Sequence, residues 1–105
     1  MSERESDAEA LLCKEIRKLG GIAYKFVSPG NDGVPDRLLL MPGGKAIFVE
    51  MKTQTGKLRS RQKIQIERIR ERGFTVETLH GKQEVSDFLK RYFGKEAMPH
   101  EVHST

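Results

Sequence analysis

At 105 residues the chain is sized for one compact domain around a single core. Hydrophobic residues make up 36% and charged residues 32%; no apolar run approaches the about 20 residues that cross a bilayer, and the opening MSERESDAEA is too acidic for a signal peptide, so no membrane partner is expected. A formal charge of +4 with a pI near 9.4 leans toward a polyanionic partner, and the one cysteine, Cys13, excludes an internal disulfide and a cysteine-based zinc site, which fits an intracellular, reducing compartment.

Residues 5–19, ESDAEALLCKEIRKL, place Ala8, Leu12, Ile16 and Leu19 at helical spacing, and Gly20-Gly21 end the helix. Cys13 falls among its leucines and reads as a buried small apolar residue. Glu9 precedes Leu12 by three and Ile16 by seven, and two readings of it stay open. It either turns toward a site on the sheet or is an exposed carboxylate favoured by the positive end of the helix. IAYKFVS, residues 22–28, alternates and is rich in β-formers, so it reads as a strand, and PGNDGVP, residues 29–35, is a loop of turn residues.

Residues 36–41 and 45–52 are strands around Pro42-Gly43-Gly44, hence a hairpin, followed by a polar connector from Thr53 to Lys57. Residues 58–72 form a helix that stops at Gly73 and presents Leu58, Gln62, Ile66 and Ile69 to the sheet. From Lys57 to Arg72 the basic residues are Lys57, Arg59, Arg61, Lys63, Arg68, Arg70 and Arg72, against only Glu67 and Glu71. FTVETL, residues 74–79, is another strand. Lys82 to Phe93 is a last helix with Val85, Phe88, Leu89 and Tyr92 as its apolar stripe. The order is α-β-β-β-α-β-α, and the two hairpin strands are apolar on both faces. That predicts an α/β fold, a mixed four-stranded sheet flanked by helices, in a single domain over residues 1–93. Residues 94–105, GKEAMPHEVHST, lack a pattern and are expected to form a flexible tail.

The hairpin carries the chemistry. With three residues in the turn, Met41 faces Lys45, paired positions sum to 86, and Asp36 lies opposite Glu50 with Cβ atoms about 5 Å apart. Lys52, two residues beyond Glu50, points to the same face. Opposed carboxylates repel, so the arrangement is destabilising unless something sits between them. A divalent cation fits: Mg²⁺ takes one or two carboxylates and completes its shell with water and phosphate oxygens. The plainer reading, a solvated ion pair at a strand end, stays open on these residues alone. Gln62, one turn into the basic helix, either reaches this site or is a boundary residue bonded to backbone.

Taken together, Glu9, Lys25-Phe26-Val27-Ser28-Pro29-Gly30, Gly33-Val34-Pro35-Asp36-Arg37, Phe48-Val49-Glu50-Met51-Lys52 and Gln62 resemble the PD-(D/E)XK nuclease superfamily, and within it the VRR-NUC (virus-type replication-repair nuclease) family. The likeness spans roughly residues 5–93 and departs in one place, Met51, where such families often show leucine. It implies a restriction-endonuclease-like core. It also implies that Asp36 and Glu50 bind Mg²⁺ or Mn²⁺ with the Met51 carbonyl, and that Glu9 helps directly or through water. Lys52 would position the attacking water or stabilise the transition state, and Gln62 would support the site. The implied activity is endonucleolytic hydrolysis of DNA, with branched substrates and a homodimer as further implications, in the host cytoplasm if the chain is phage-encoded.

Lys25, Arg37, Lys57, Arg59, Arg61 and Lys63 are the candidate phosphate contacts. No aromatic residue interrupts the basic run, so stacking on unpaired bases draws no support there. His80 reads as a turn residue after the fourth strand, and His100 and His103 fall in the tail, so no histidine chemistry is expected. The alternative function is a DNA-binding module on a nuclease fold that no longer cuts. The intact Asp36, Glu50 and Lys52 argue against it, because a pure binding protein has no need of opposed carboxylates.

Overall fold

The structure, a computed structural model, describes residues 4–94. The first helix, α1, spans Glu5–Lys18, with Glu5 and Asp7 in its first turn where the helix dipole favours negative charge. It ends in a glycine-capped turn: the Gly20 amide donates to the Arg17 carbonyl (3.0 Å) and the Gly21 amide to the Ile16 carbonyl (2.9 Å). Gly20 sits at φ +85°, which a side chain would resist.

Three strands follow: β1 (Ile22–Lys25), β2 (Arg37–Met41) and β3 (Lys45–Lys52). Helix α2 (Ser60–Glu71) carries the chain to β4 (Thr75–His80), and α3 (Gly81–Phe93) closes the fold. The sheet order is β1-β2-β3-β4, antiparallel across the first two pairings and parallel between β3 and β4. A parallel neighbour needs a crossover, and α2 supplies it. This is the expected mixed sheet with helices on both sides.

Side chains alternate across the hairpin, and the two faces differ. The odd positions Leu39, Met41, Ile47, Val49 and Met51 join Ala8, Leu12 and Ile16 of α1 with Val85, Phe88 and Leu89 of α3 in one continuous core. Phe88 and Leu12 are wholly buried there. The even face, toward α2, is thinner. Ile66, Val76 and Gln62 are buried on it, while Leu40, Ile22 and Tyr24 remain exposed.

Several boundaries differ from the sequence expectation. Strand β1 stops at Lys25, three residues early, although the Phe26 amide still donates to the Asp36 carbonyl (2.8 Å) before the chain leaves the sheet. Helix α2 begins at Ser60 rather than residue 58, because Arg59 is extended and serves as the N-cap. Cys13 is half-buried, not buried, since it lies one position off the Ala8–Leu12–Ile16 stripe. His80 is the last residue of β4 rather than a turn residue. The tail expected over residues 94–105 falls, apart from Gly94, outside the described residues.

Candidate active site

The Pro42-Gly43-Gly44 turn sets the expected register, with Met41 opposite Lys45 and Arg37 opposite Val49. Asp36 lies one step beyond the last pair, at the mouth of β2, and its Oδ1 accepts a hydrogen bond from the Met51 amide (3.1 Å). Glu50, 5% exposed, projects from β3 toward α2, where its Oε2 accepts from the Gln62 amide nitrogen (2.9 Å) and lies 3.6 Å from Lys52 Nζ. Gln62 is itself fixed. Its Oε1 accepts the Arg59 backbone amide (2.8 Å), one of the free donors at the start of α2, so its NH₂ can only face Glu50.

Burial sets the electrostatics. It is the main cause that pushes the Glu50 carboxyl up to about 7, reinforced by the charge of Asp36 and opposed by Lys52 and the Asp36 backbone amide. Asp36 is also raised, again chiefly by burial, with Glu9 and Glu5 adding to the rise and the Met51 amide and Arg37 opposing it. Two carboxylates that resist ionisation side by side form a hard-oxygen donor set that a divalent cation would relieve, so these residues fit Mg²⁺ or Mn²⁺. The fit rests on two carboxylates. Among the described residues no three His, Cys, Asp or Glu side chains converge as a ligand group.

Glu9 therefore stands apart from the pair. Its Oε2 accepts from Arg37 Nε at 2.8 Å, and its negative charge adds to the rise at Asp36. Arg37 corrects an expectation. One residue on from Asp36, it points to the opposite face, where it holds Glu9 and donates to the Ala23 carbonyl (3.2 Å), so it is committed internally and is not a free phosphate contact. Lys25, Lys57, Arg59 and Lys63 are exposed as expected; Arg61 is exposed too and faces Asp32 at 3.8 Å.

A cleft of about 320 Å³ opens over Asp36 and Glu50, walled by Gln62, Arg59, Ser28 and Asp32. Asn31 escaped the sequence reading, which took 29–35 only as a loop of turn residues, and Ser28 was read only as a strand residue and part of the family motif. The Asn31 side chain donates to Ser28 Oγ (2.8 Å), and this pair shapes the wall. The same loop explains Gly33, at φ +94°: a Cβ there would stand 2.7 Å from the Arg61 carbonyl, so the loop rests directly on the backbone of α2. Gly33→Ala is expected to cost at least about 2 kcal/mol, from the left-handed backbone plus the forced displacement of α2, read as a lower midpoint in urea unfolding. His80 ties the connector to α3, its Nε2 2.9 Å from the Gly56 carbonyl and its Nδ1 3.1 Å from Glu84.

Comparison with known proteins agrees with this architecture. The VRR-NUC domain family matches residues 2–83. A solved structure described as a VRR_NUC domain is 30% identical and superposes with a TM-score of 0.77, covering 85% of this chain and 96% of that one. A protein named "Putative nuclease p44", from Acyrthosiphon pisum secondary endosymbiont phage 1, is 65% identical over 49 residues, which are 47% of this chain. The match spans about half of that relative, 53% of its length.

Proposed function

Because the chain belongs to the VRR-NUC family, we propose that it is a metal-dependent endonuclease that hydrolyses phosphodiester bonds in DNA, with Asp36, Glu50 and the Met51 carbonyl holding Mg²⁺ or Mn²⁺. The observation that carries this reading is the pairing of half-buried Asp36 with buried Glu50, both carboxyls held above their usual range, with Lys52 beside them. When bound, the cation supplies a Lewis acid to the scissile phosphate and lowers the pKa of the attacking water.

The chain's own residues do the rest. Lys52, mostly buried, offers a fixed positive charge for the attacking water and for the charge that builds on the phosphate oxygens. In the reaction the water oxygen bonds to phosphorus, the bond to one ester oxygen breaks, and that oxygen leaves with a proton. Gln62 holds the Glu50 carboxylate in one orientation. Glu9 acts through its charge on Asp36 and by anchoring Arg37 beneath it. Arg59, Lys25, Lys57 and Lys63 hold flanking phosphates without reading sequence. One site per chain favours a symmetric pair of chains wherever two strands are cut, and the reading extends to branched DNA as substrate.

The test is cleavage of labelled duplex, single-stranded, flap and four-way-junction DNA in Mg²⁺, Mn²⁺ or EDTA. The parent protein should cut in metal and not in EDTA, and Lys52→Ala should lose about 10²–10³-fold in rate while still binding DNA. DNA bound but uncut in every metal would overturn the reading in favour of a non-cleaving binding module.

A further inference from the structure

Next to the cleft lies a second groove of about 270 Å³ that shares Phe26, Ser28, Asn31 and Val34 with it. The two differ in chemistry. The cleft carries Asp32, Asp36 and Glu50, whereas the groove is lined by Phe26, Phe48, Gln65, Arg68 and Arg72, with no acid among its described lining residues. Phe26 meets Phe48 edge-to-face with ring centroids 5.6 Å apart, and Phe48 meets Phe74 in the same manner at 6.0 Å. Phe74 is 49% exposed and extends the aromatic surface to solvent. The three rings come from three places in the chain: just past β1, the middle of β3, and the residue before β4. No stretch of sequence shows them together.

We infer that this groove is a stacking subsite for the base of an unpaired nucleotide, next to the phosphate held over Asp36 and Glu50. Every base has a π-face that an aromatic ring can accept whatever the sequence. Arg68 and Arg72 supply the charge that a neighbouring phosphate needs, and an arginine plane can also cover the outer face of the base. A base paired within a duplex cannot leave the stack without an unpairing cost, so the groove selects DNA with a loose nucleotide beside the cut. The inference rests on the proposal that DNA lies across the cleft. It adds to it the means of choosing among DNA structures, an unpaired base received on the rings of Phe26 and Phe48.

The experiment removes the base rather than the protein's rings. Binding is measured in EDTA to a flap duplex with an intact unpaired nucleotide at the junction and to the same DNA with an abasic site there. The wild type should bind the abasic flap about tenfold more weakly. In Phe26→Leu and Phe48→Leu, which keep the groove apolar but remove a π-face, the abasic penalty should vanish, as a double-mutant cycle requires of two groups that touch. The wild-type comparison of intact and abasic flaps needs no variant and decides the subsite even if these variants fail to fold. Equal binding of intact and abasic flaps by the wild type would overturn the subsite. Cleavage in Mg²⁺ without an abasic penalty sinks the subsite alone, and a penalty without cleavage in any metal sinks the nuclease reading alone.

Discussion

Asp36→Asn is expected to lose DNA cleavage by about 10³-fold and, at the same time, to unfold at a higher temperature than the parent protein. The loss follows from the proposed role of Asp36 as one of the two carboxylates that would hold the metal, a charge that Asn cannot supply. The gain in stability follows from the same facts. Asn can still accept the Met51 amide through its side-chain oxygen, so the backbone bond survives, while the half-buried charge beside Glu50 disappears. Like charges set opposite one another across strands cost up to about 1 kcal/mol, which in a domain of this size is ~4–8 °C. The measurement is thermal unfolding in EDTA beside a cleavage assay in Mg²⁺. A variant that is inactive and also less stable would mean that Asp36 serves the fold, not the chemistry.

The second large effect is on pH. The Glu50 carboxyl is raised from 4.5 to about 7 in the folded protein, so across that interval the native state holds a proton that the unfolded chain has released. The stability from this group is therefore fully present below pH 4.5 and is lost as pH rises through about 7. A rise from 4.5 to about 7 corresponds to roughly 3 kcal/mol. The metal-free protein should thus lose stability between pH 5 and 7.5 and level off above it. In Glu50→Gln the slope should shrink to the smaller part that the raised Asp36 contributes with the same sign. Adding Mg²⁺ at pH 8 should restore stability to the parent protein and not to Glu50→Gln, because a ligand bound only by the native state stabilises it. Denaturant midpoints measured across pH, with and without Mg²⁺, read all three outcomes.

How much of this could be read from the sequence depended on whether local chemistry sufficed. The hairpin was legible because Pro42-Gly43-Gly44 marks the turn and the flanking strands count outward from it; a two-residue turn would have shifted every pair by one, and the three-residue turn adopted places Asp36 near Glu50. Gln62 was legible from helical spacing, though its tie to the Arg59 amide needed the true start of α2. Arg37 could have been assigned correctly, since neighbouring strand residues face opposite ways and it cannot share a face with Asp36. Other features were hidden because tertiary placement makes them. The Glu9–Arg37 pair spans 28 residues, the bond from His80 to Gly56 spans 24, and the rings of Phe26, Phe48 and Phe74 meet only once the sheet is assembled.

The packing of α1 against α3 has a consequence for how the protein is made. The hairpin that bears Asp36, Glu50 and Lys52 joins residues close in sequence and can pair as soon as it leaves the ribosome. The core that supports it cannot, because Leu12 and Ile16 from one end of the described chain meet Val85, Phe88 and Leu89 from the other. A nascent chain that stops short of Val85 carries the whole acidic pair yet leaves the part of its sheet that α3 covers exposed, a state prone to aggregate. Burial of the two carboxylates belongs to the assembled domain, so the shifts that tune them arise with folding and not before. Synthesis thus delays the arming of the site until α3 is in place.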